Sequence, residues 1–476
     1  AKAAGISLLA GPEVSLAGYM GQFIAVLRDR DTAIDVAAAA GEFGTFDLVL
    51  DLSDPPLLRA ELPPPGYFAP ANDPAALETA LQELPGLIGT FEKPNYVRYD
   101  PNRCAHSRSG IQGCRRCLGS CPAEAIRTVG DRIEVDPFLC QGGGSCVSAC
   151  PTGALRYNYP SGETLMATVR GALKSYYAAG GAHPVLLFHD GNLAKEILSA
   201  TEDAFDDRLV RVAVEEIGVV GFEICAAALA YGSAAIAVLA TSAAPASVRA
   251  EIESQISILH ALLDGLDLGP GRVQFVGVDP ARSLLRRLEP LSKWSALEPA
   301  THLVFDDKRT DVWLAIDHLY AQTTSAVTVL RLPSSAPFGS VTVAPDACTL
   351  CMACPSLCPT GALQAGNETP QLSFVEDKCV QCGLCRHGCP EAAIEITARL
   401  MLEPEARRRP RILAEDEPFH CVLCGTPFGT VRTIERISAK LSGHPMFEDA
   451  AARHRLKMCE DCRVVDLFAA GDDIDQ

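Results

Sequence analysis

In the middle of the chain, short continuous apolar runs alternate with segments in which apolar residues recur at helical spacing. Short apolar runs of strand length stand at 185–189, 209–214, 234–240 and 273–278. Segments with a helical pattern lie before and between them, at 165–178, 221–231 and 247–263. Strands that are apolar on both faces and alternate with helices are typical of a parallel sheet covered on both sides. Residues 163–300 therefore predict a doubly wound, Rossmann- or flavodoxin-like α/β domain.

The opening of the chain has a weaker α/β pattern. Residues 6–9 and 46–52 predict strands, and the second lacks alternation, so we expect it to be buried on both faces. A proline-rich segment after it predicts a long exposed loop. Residues 73–84 predict a helix capped by Asn72 or Asp73. No group of potential catalytic residues is recognisable here. We interpret this segment as a small packing or docking domain.

One apolar stretch, 217–244, has the length of a membrane span. It is interrupted by Gly218, Glu223 and Gly232, and basic flanking residues are sparse. A buried helix followed by a buried parallel strand explains this stretch better. The sequence predicts no membrane span.

Chain length, net charge and cysteine content limit the classes of protein to which the chain can belong. A chain of 476 residues predicts three or more domains. The formal net charge of −18 disfavours nucleic acid as a partner. Twenty cysteines with metal-type spacings indicate a reducing compartment, and no secretory signal pattern stands at the start, so we expect the cytoplasm. The basic run at 407–411 is interpreted as a solvated linker.

Two cysteine runs in the last third carry the strongest signal. Each reads C-x2-C-x2-C-x3-C and is followed by proline, which is the bacterial dicluster ferredoxin pattern. In that pattern the fourth cysteine of each run reaches across to the other cluster. The first predicted [4Fe-4S] site is therefore Cys348, Cys351, Cys354 and Cys389. The second is Cys379, Cys382, Cys385 and Cys358.

An altered copy of this unit lies upstream. An inserted stretch, 105–111, separates its first two cysteines, and Gly143 stands where the second cysteine of its second run is expected. Crosswise ligation gives one complete [4Fe-4S] set, Cys104, Cys114, Cys117 and Cys150. It gives one set of three thiolates, Cys121, Cys140 and Cys146. Three thiolates match a [3Fe-4S] cluster; the alternatives are a [4Fe-4S] cluster with an outside ligand, or an empty site. His106 in the insertion is expected to be solvated, with Cys104 as the ligand.

Two further cysteine pairs lie near the end of the chain. They are Cys421 with Cys424 and Cys459 with Cys462. Paired C-x2-C knuckles at long separation suit a tetrahedral zinc site, and a further iron–sulfur cluster is the alternative. The remaining cysteine, Cys225, lies in an apolar stretch and is predicted to be a buried core thiol.

These patterns predict an α/β multidomain protein with two ferredoxin-like α+β units and a parallel-sheet spacer between them. The predicted segments are an N-terminal domain, a degenerate dicluster unit, the α/β domain, a linker or helical segment, a dicluster unit and a four-cysteine module, at 1–92, 93–162, 163–300, 301–344, 345–400 and 401–476.

Two resemblances add to this picture. Residues 180–280 resemble the delta subunit of methyl-viologen-reducing hydrogenases, in the strand–helix–strand order at 217–239 and in the ending Leu-Gly-Pro-Gly-Arg-Val at 268–273. The cysteines that hold a [2Fe-2S] cluster in that subunit are absent except for Cys225, which implies that the fold is kept without its cluster.

The chain as a whole resembles cytoplasmic multi-cluster ferredoxin-type proteins associated with proteobacterial molybdenum formate dehydrogenases. The similarity lies in Phe-Glu-Lys-Pro at 91–94, Cys-Ala-His-Ser at 104–107 and Cys-Glu-Asp-Cys-Arg at 459–463. It implies a redox partner of the formate dehydrogenase type.

The function expected from these sites is electron transfer through several iron–sulfur clusters, as a component of an oxidoreductase complex. One alternative is an oxidoreductase subunit in which the α/β domain binds flavin or nicotinamide, although that domain lacks G-x-G-x-x-G. Another is a maturation factor for a molybdenum enzyme.

Overall fold

The computed structural model describes residues 8–11, 13–29, 32–40, 44–191, 207–242, 244–277, 282–366 and 369–471. The N-terminal part is an antiparallel meander followed by a short parallel pair. Its strands are β1 (Glu13–Ala17), β2 (Ile24–Asp29), β3 (Thr32–Asp35), β4 (Val49–Leu50) and β5 (Tyr67–Phe68), and its helices are α1 (Val36–Ala40) and α2 (Pro74–Glu83).

Two of the predictions for this region need correction. The predicted strand 6–9 lies partly outside the described residues, and Leu8 and Leu9 are not in a strand. The predicted strand 46–52 shortens to β4, and Leu52 is 61% exposed, so burial on both faces is wrong. The helix cap is confirmed as Asp73, whose carboxylate accepts a hydrogen bond from the N–H of Ala75 at 2.9 Å.

The upstream cysteine unit consists of two short helices and three antiparallel strand pairs. The pairs are β6 (Val97–Tyr99) with β11 (Leu155–Tyr157), β7 (Ser107–Arg108) with β8 (Ile111–Gln112), and β9 (Ile126–Val129) with β10 (Arg132–Val135). The helices are α3 (Arg116–Ser120) and α4 (Ser145–Ala149). Each helix contains one cysteine of its run, Cys117 or Cys146, and ends directly before the next, Cys121 or Cys150.

A four-stranded parallel sheet forms the middle of the molecule, as predicted. Its strands are β12 (Val185–His189), β13 (Leu209–Ala213), β14 (Ala235–Ala240) and β15 (Val273–Gly277), in the order β13-β12-β14-β15. Its helices are α5 (Gly162–Ala178), α6 (Phe222–Ala230), α7 (Ala246–Gly265) and α8 (Arg282–Leu288). Every residue of β14 is buried, which explains its continuous apolar run.

Besides β14, the apolar stretch 217–244 contains helix α6. All nine of its residues are buried, including Cys225, which is 1% exposed as predicted. Its acidic residue Glu223 forms an ion pair with Lys308, at 2.7 Å between Oε1 and Nζ. Within the described ranges, the structure contains no helix with both the length and the apolar character that a bilayer crossing requires.

The downstream part combines a second cysteine unit with a C-terminal module. Its strands are β16 (Val329–Arg331), β17 (Gly339–Val343), β18 (Leu363–Ala365), β19 (Gln371–Phe374), β20 (Ile394–Met401), β21 (Arg411–Glu415), β22 (Pro418–His420) and β23 (Pro427–Thr430). Its helices are α9 (Lys308–Ala321), α10 (Ala353–Leu357), α11 (Leu384–His387), α12 (Pro404–Arg408), α13 (Val431–Leu441), α14 (Ala450–Arg455) and α15 (Glu460–Gly471). Strand β20 pairs with both β16 and β17, so residues 301–344 supply one helix and two strands of folded structure.

One apolar core joins these parts. It runs from Tyr157 of the upstream unit through Phe222 of α6 and Trp313 of α9 to Phe338 and Leu400 beside the downstream unit. The basic run contributes to this packing, because Arg407 is fully buried and its guanidinium lies 4.1 Å from the ring centroid of Trp313. The interpretation of this run as a solvated linker is therefore wrong at Arg407.

Candidate metal centres

Three groups of four cysteines each surround a cavity, and the three cavities have similar volumes. The first group is Cys348, Cys351, Cys354 and Cys389, around about 370 Å³. The second is Cys358, Cys379, Cys382 and Cys385, around about 350 Å³. The third is Cys104, Cys114, Cys117 and Cys150, around about 330 Å³. Each group joins three cysteines of one run with the last cysteine of the other, and four thiols around one space fit an iron–sulfur cluster.

Left-handed residues between the thiols shape the downstream runs. They are Leu350 and Met352 in the first run, at φ of +53° and +58°, and Gln381 and Gly383 in the second, at +53° and +85°. Residues with a side chain rarely adopt this conformation. The turns carry the thiols of each run to the same cavity, which is a fixed, strained arrangement of the kind found at functional sites.

The altered upstream run keeps the same turns without the middle thiol. Gly142 and Gly144 have φ of +82° and +75°, so Gly143 occupies the position between them that a cysteine holds in the downstream runs. A Cβ atom on Gly143 would meet Pro122 Cγ at 3.6 Å and Val248 Cγ2 at 3.8 Å, which is ordinary van der Waals contact. The loop therefore has space for a side chain at this position.

The three thiols beside Gly143 lie close to one another. Burial is the main cause that raises the pKa of Cys146 well above its usual value, and the thiols of Cys121 and Cys140 add to it. Burial is also the largest cause that raises the pKa of Cys140, and the thiol of Cys121 adds to it. The structure thus brings together the three cysteines that the sequence predicted as an incomplete set.

The insertion in the first upstream run forms the hairpin of β7 and β8. At its base the N–H of Cys114 donates to Ala105 O at 2.9 Å, so the extra residues loop out and Cys114 returns beside Cys104. His106 is 1% exposed, and its Nδ1 lies 2.9 Å from Cys114 O. The expectation that His106 is solvated is wrong; the histidine packs at the base of the hairpin and helps to hold Cys114.

Burial raises the pKa of thiols in the downstream groups. It is the largest cause that raises the pKa of both Cys354 and Cys382 to about 12. Metal binding at these sites must therefore release protons. Polar hydrogens already point at several sulfur atoms, with Gln381 Nε2 donating to Cys379 Sγ at 3.3 Å and the N–H of Ala393 donating to Cys389 Sγ at 3.3 Å. Such hydrogen bonds tune cluster potentials.

The two cysteine units contact each other directly, which sequence reasoning missed. His387 Nδ1 lies 2.9 Å from Gln112 O, and a Cβ on Gly113 would lie only 2.6 Å from Leu384 Cγ. The expectation that the α/β domain separates the two units is therefore wrong. The one sequence feature that indicates this contact is Gly113, next to Cys114. The close approach of Leu384 at this position requires a glycine.

Each group has a thiol near enough to the next group to affect the pKa of a thiol there. After burial, the thiol of Cys117 in the adjacent group contributes to the raised pKa of Cys146. Cys114 contributes in the same way to Cys382 across the contact between the units. Cys354 contributes to the raised pKa of Cys385, again after burial. The order is the three-cysteine group, the complete upstream group, then the two downstream groups.

The last four cysteines form a separate and more compact group. The sulfur atoms of Cys421, Cys424, Cys459 and Cys462 all lie within 4.8 Å of one another. The sulfurs of Cys424 and Cys459 lie 3.6 Å apart, and the N–H of Cys459 donates to Cys421 Sγ at 3.3 Å. Gly425 follows the first knuckle at φ of +76°. This donor set fits a single ion, because spacing so close leaves no room for a multi-iron cluster.

Comparison with known protein families agrees with the two ferredoxin-like units. Residues 96–151 match one family described as a 4Fe-4S dicluster domain, and residues 347–394 match a second family with the same description. No curated protein matches the chain. The two matches support an iron–sulfur protein of the ferredoxin type with a role in electron transfer, and they name no redox partner.

Proposed function

We propose that the protein relays electrons through four iron–sulfur sites that follow one another in a single row. The observation that carries this proposal is the direct contact between the two cysteine units, at Gln112, Gly113, Leu384 and His387. Without this contact, two ferredoxin units would form two separate pairs of sites. With it, the thiol of Cys114 is near enough to Cys382 to add to its raised pKa, of which burial is the main cause.

Iron–sulfur clusters, when bound, supply one-electron redox chemistry over a wide range of potentials. The chain holds each site on thiols that are partly or fully buried, apart from the exposed Cys351, and adds N–H donors at sulfur, as at Cys379 and Cys389. Burial excludes water, and a rigid loop keeps the ligands in place when the charge changes. Both properties favour transfer over substrate chemistry.

We propose [4Fe-4S] clusters at the three complete groups and a [3Fe-4S] cluster on Cys121, Cys140 and Cys146. The surroundings of Gly143 support the smaller cluster. In the described structure, the atoms within 4 Å of where its side chain would start are carbons of Pro122 and Val248, and neither can bind iron.

We propose zinc at the C-terminal group. A tetrahedral zinc–thiolate site has zinc–sulfur bonds of about 2.3 Å, which places the sulfurs roughly 3.8 Å apart. The approach of 3.6 Å between Cys424 and Cys459 is close to that spacing. The role of this zinc would be structural, since it ties β22 and β23 to α15.

The redox partner is proposed to be an oxidoreductase of the formate dehydrogenase type, on the strength of the sequence resemblance alone. All twenty cysteines are free thiols, which supports a reducing compartment such as the cytoplasm. A flavin- or nicotinamide-linked role has less support, because the described carboxyl edge of the parallel sheet carries the acids Asp190 and Glu216, which disfavour a phosphate.

Metal analysis and reductive titration of anaerobically purified protein test the relay. We expect about fifteen irons and one zinc per chain, with no flavin, and uptake of about four electrons, one for each cluster. Electron paramagnetic resonance of the reduced protein should show signals broadened by coupling along the row. Sharp signals from magnetically isolated clusters would contradict a row, and stoichiometric flavin would favour the flavin-linked alternative.

A further inference from the structure

Two consecutive basic residues at the start of helix α9 contact different cysteine units. Lys308 Nζ donates to two backbone carbonyls of α4 in the upstream unit, at 2.9 Å and 3.0 Å. Arg309 Nη2 donates to the carbonyls of Asp377 and Cys379 in the downstream unit, at 2.7 Å and 3.2 Å. The first turn of α9 therefore places one cation at the backbone of each unit.

The two cations differ in how their charges are compensated. Lys308 pairs with Glu223 at 2.7 Å. Among the described residues, Arg309 forms no ion pair within 4.0 Å. The carboxylate of Asp377, whose carbonyl accepts from Arg309, lies instead 3.6 Å from Nε of Arg407. The guanidinium of Arg309 therefore carries a positive charge that no carboxylate in direct contact neutralises.

Aromatic rings and a further carbonyl enclose this guanidinium. Its central carbon lies 5.0 Å from the ring centroids of both Trp313 and Phe338. Its Nη1 donates to Pro337 O at 3.2 Å. An arginine stays protonated at neutral pH. Rings and backbone that replace water around a charge reduce its screening, so the charge acts over a longer distance than one on an open surface.

The charge of Arg309 lies beside the second downstream group of cysteines. Its hydrogen bond to Cys379 O fixes the guanidinium to the backbone of one predicted ligand. An electron added to an iron–sulfur site increases the negative charge there by one, and a fixed positive charge nearby stabilises this added charge. The net charge around a cluster is one of the properties that set its potential.

We propose that the charge of Arg309 raises the reduction potential of the second downstream site, which includes Cys379 and Cys382. The inference rests on the proposed electron relay. Reduction of this site takes up one electron, supplied by a neighbouring site of the row, and no bond forms or breaks. Leu384 lines this site and lies against Gly113 of the upstream unit. The charge therefore favours an electron at the junction between the two units.

An effect of charge has to be separated from an effect of hydrogen bonding. Three carbonyls accept from Arg309, and removal of its side chain leaves them without this donor. Arg309→Gln removes the charge and keeps N–H donors, whereas Arg309→Lys keeps both the charge and a donor but loses the planar fork. A charge effect changes the potential in the glutamine variant only. A role of the fork in holding the loop changes both variants.

Redox titration of the iron-loaded full chain with dithionite, followed by electron paramagnetic resonance, tests the proposal. The transition of this site is the one that is absent in Cys382→Ala, because Cys382 lines the cavity of this group. We expect Arg309→Gln to make reduction of the site about ten-fold less favourable, which lowers its midpoint potential by about 59 mV. Iron content should stay unchanged. Arg309→Lys should titrate close to the wild type.

Asp377→Asn gives an independent prediction of opposite sign. It removes a negative charge from the segment that Arg309 contacts, and it leaves the backbone carbonyl that accepts from Arg309 in place. Arg407 keeps its pair with Asp317. Reduction of the site should become more favourable, so the midpoint potential should rise. This variant decides the proposal if Arg309→Gln loses its iron.

The outcomes distinguish this proposal from the relay on which it rests. Absence of iron and sulfide from the downstream unit of the wild type would refute the relay. With the cluster present, a wild-type potential in Arg309→Gln would overturn only the role of Arg309. An equal fall of the potential in Arg309→Gln and Arg309→Lys would do the same, as would an unchanged or lower potential in Asp377→Asn.

Discussion

At the scale of single residues, Gly143 has the backbone position of a cluster ligand without the thiol. The positive φ values belong to its neighbours Gly142 and Gly144, so no conformational reason requires glycine at 143 itself. The missing ligand is therefore a chemical difference between otherwise similar loops, and it can be reversed by one substitution.

Gly143→Cys should convert the proposed [3Fe-4S] cluster to [4Fe-4S]. The added thiol enters a space where its Cβ meets only ordinary contacts. The oxidised wild type should show a paramagnetic signal near the free-electron value, which the variant loses while gaining about one iron per chain. Gly143→Ala is the control, since it adds the Cβ without the thiol and should leave the signal unchanged. Four irons at this site in the wild type, with no such signal, would instead indicate an outside ligand.

Iron counts in double variants can test the crosswise ligation. If Cys358 and Cys382 serve the same cluster, Cys358→Ala combined with Cys382→Ala should remove about four irons. Cys351→Ala combined with Cys382→Ala, the matched control, should remove about eight, because these thiols line different cavities. A loss of eight irons in the first pair would show that each run binds its own cluster.

At the scale of elements, the four parallel strands could be predicted to within one residue. Their apolar runs are bounded by polar or small residues, and burial on both faces of β12 and β14 leaves a continuous signal there. The prediction of a strand over 46–52 was wrong for most of its length, because its apolar residues belong to a loop. Asp51 there accepts hydrogen bonds from the N–H of Leu57 at 2.7 Å and from the Tyr67 hydroxyl at 2.5 Å, a polar centre that periodicity does not reveal.

The C-terminal module should depend on one zinc ion. Cys424→Ala removes an exposed ligand, so zinc should be released and α15 should become more susceptible to proteolysis, while the iron signals stay unchanged. Cys225→Ala, which removes a buried thiol outside every group, should keep the zinc. Iron and sulfide at this site in the wild type would show that the metal is assigned wrongly.

Helix α12 is anchored by a buried charge. Arg407 pairs with Asp317 and Asp377 and stacks on Trp313. Arg407→Ala should lower the free energy of unfolding by about 3 kcal/mol, because the two acids lose a buried partner. Urea denaturation followed by tryptophan fluorescence measures this loss. Arg409→Ala, at an exposed position of the same basic run, should change it by less than about 0.5 kcal/mol.

At the scale of the whole molecule, the contact between the two cysteine units decides whether there is one row of sites or two pairs. The cluster ligands within a unit can be predicted from cysteine spacing, because they lie near one another in the sequence or repeat a known pattern. No such pattern relates Gln112 to His387, which are 275 positions apart. The burial of Arg407 depends on long-range packing in the same way.

Gly113→Ala should weaken the coupling between the units. Its Cβ would lie 2.6 Å from Leu384 Cγ and 2.7 Å from Ala105 O, so the units must move apart. Gly119→Ala, in the same unit and with no described atom within 4 Å of the new Cβ, is the control. We expect the broadening of the resonance signals in the reduced protein to fall only in Gly113→Ala, with iron content unchanged in both. Equal broadening in the two variants would mean that the contact does not set the coupling.

The separation of Gln112 and His387 in the chain also affects biosynthesis. Ribosomes add about 5–20 residues per second, so the 275 intervening positions take roughly 14–55 s to translate. During that interval the nascent upstream unit exists without the surface that later covers the hairpin beside Cys114. Delivery of iron and sulfide to this site is sterically easiest then, and damage by oxygen is also easiest. Chain growth thus favours filling the upstream clusters before the downstream ones.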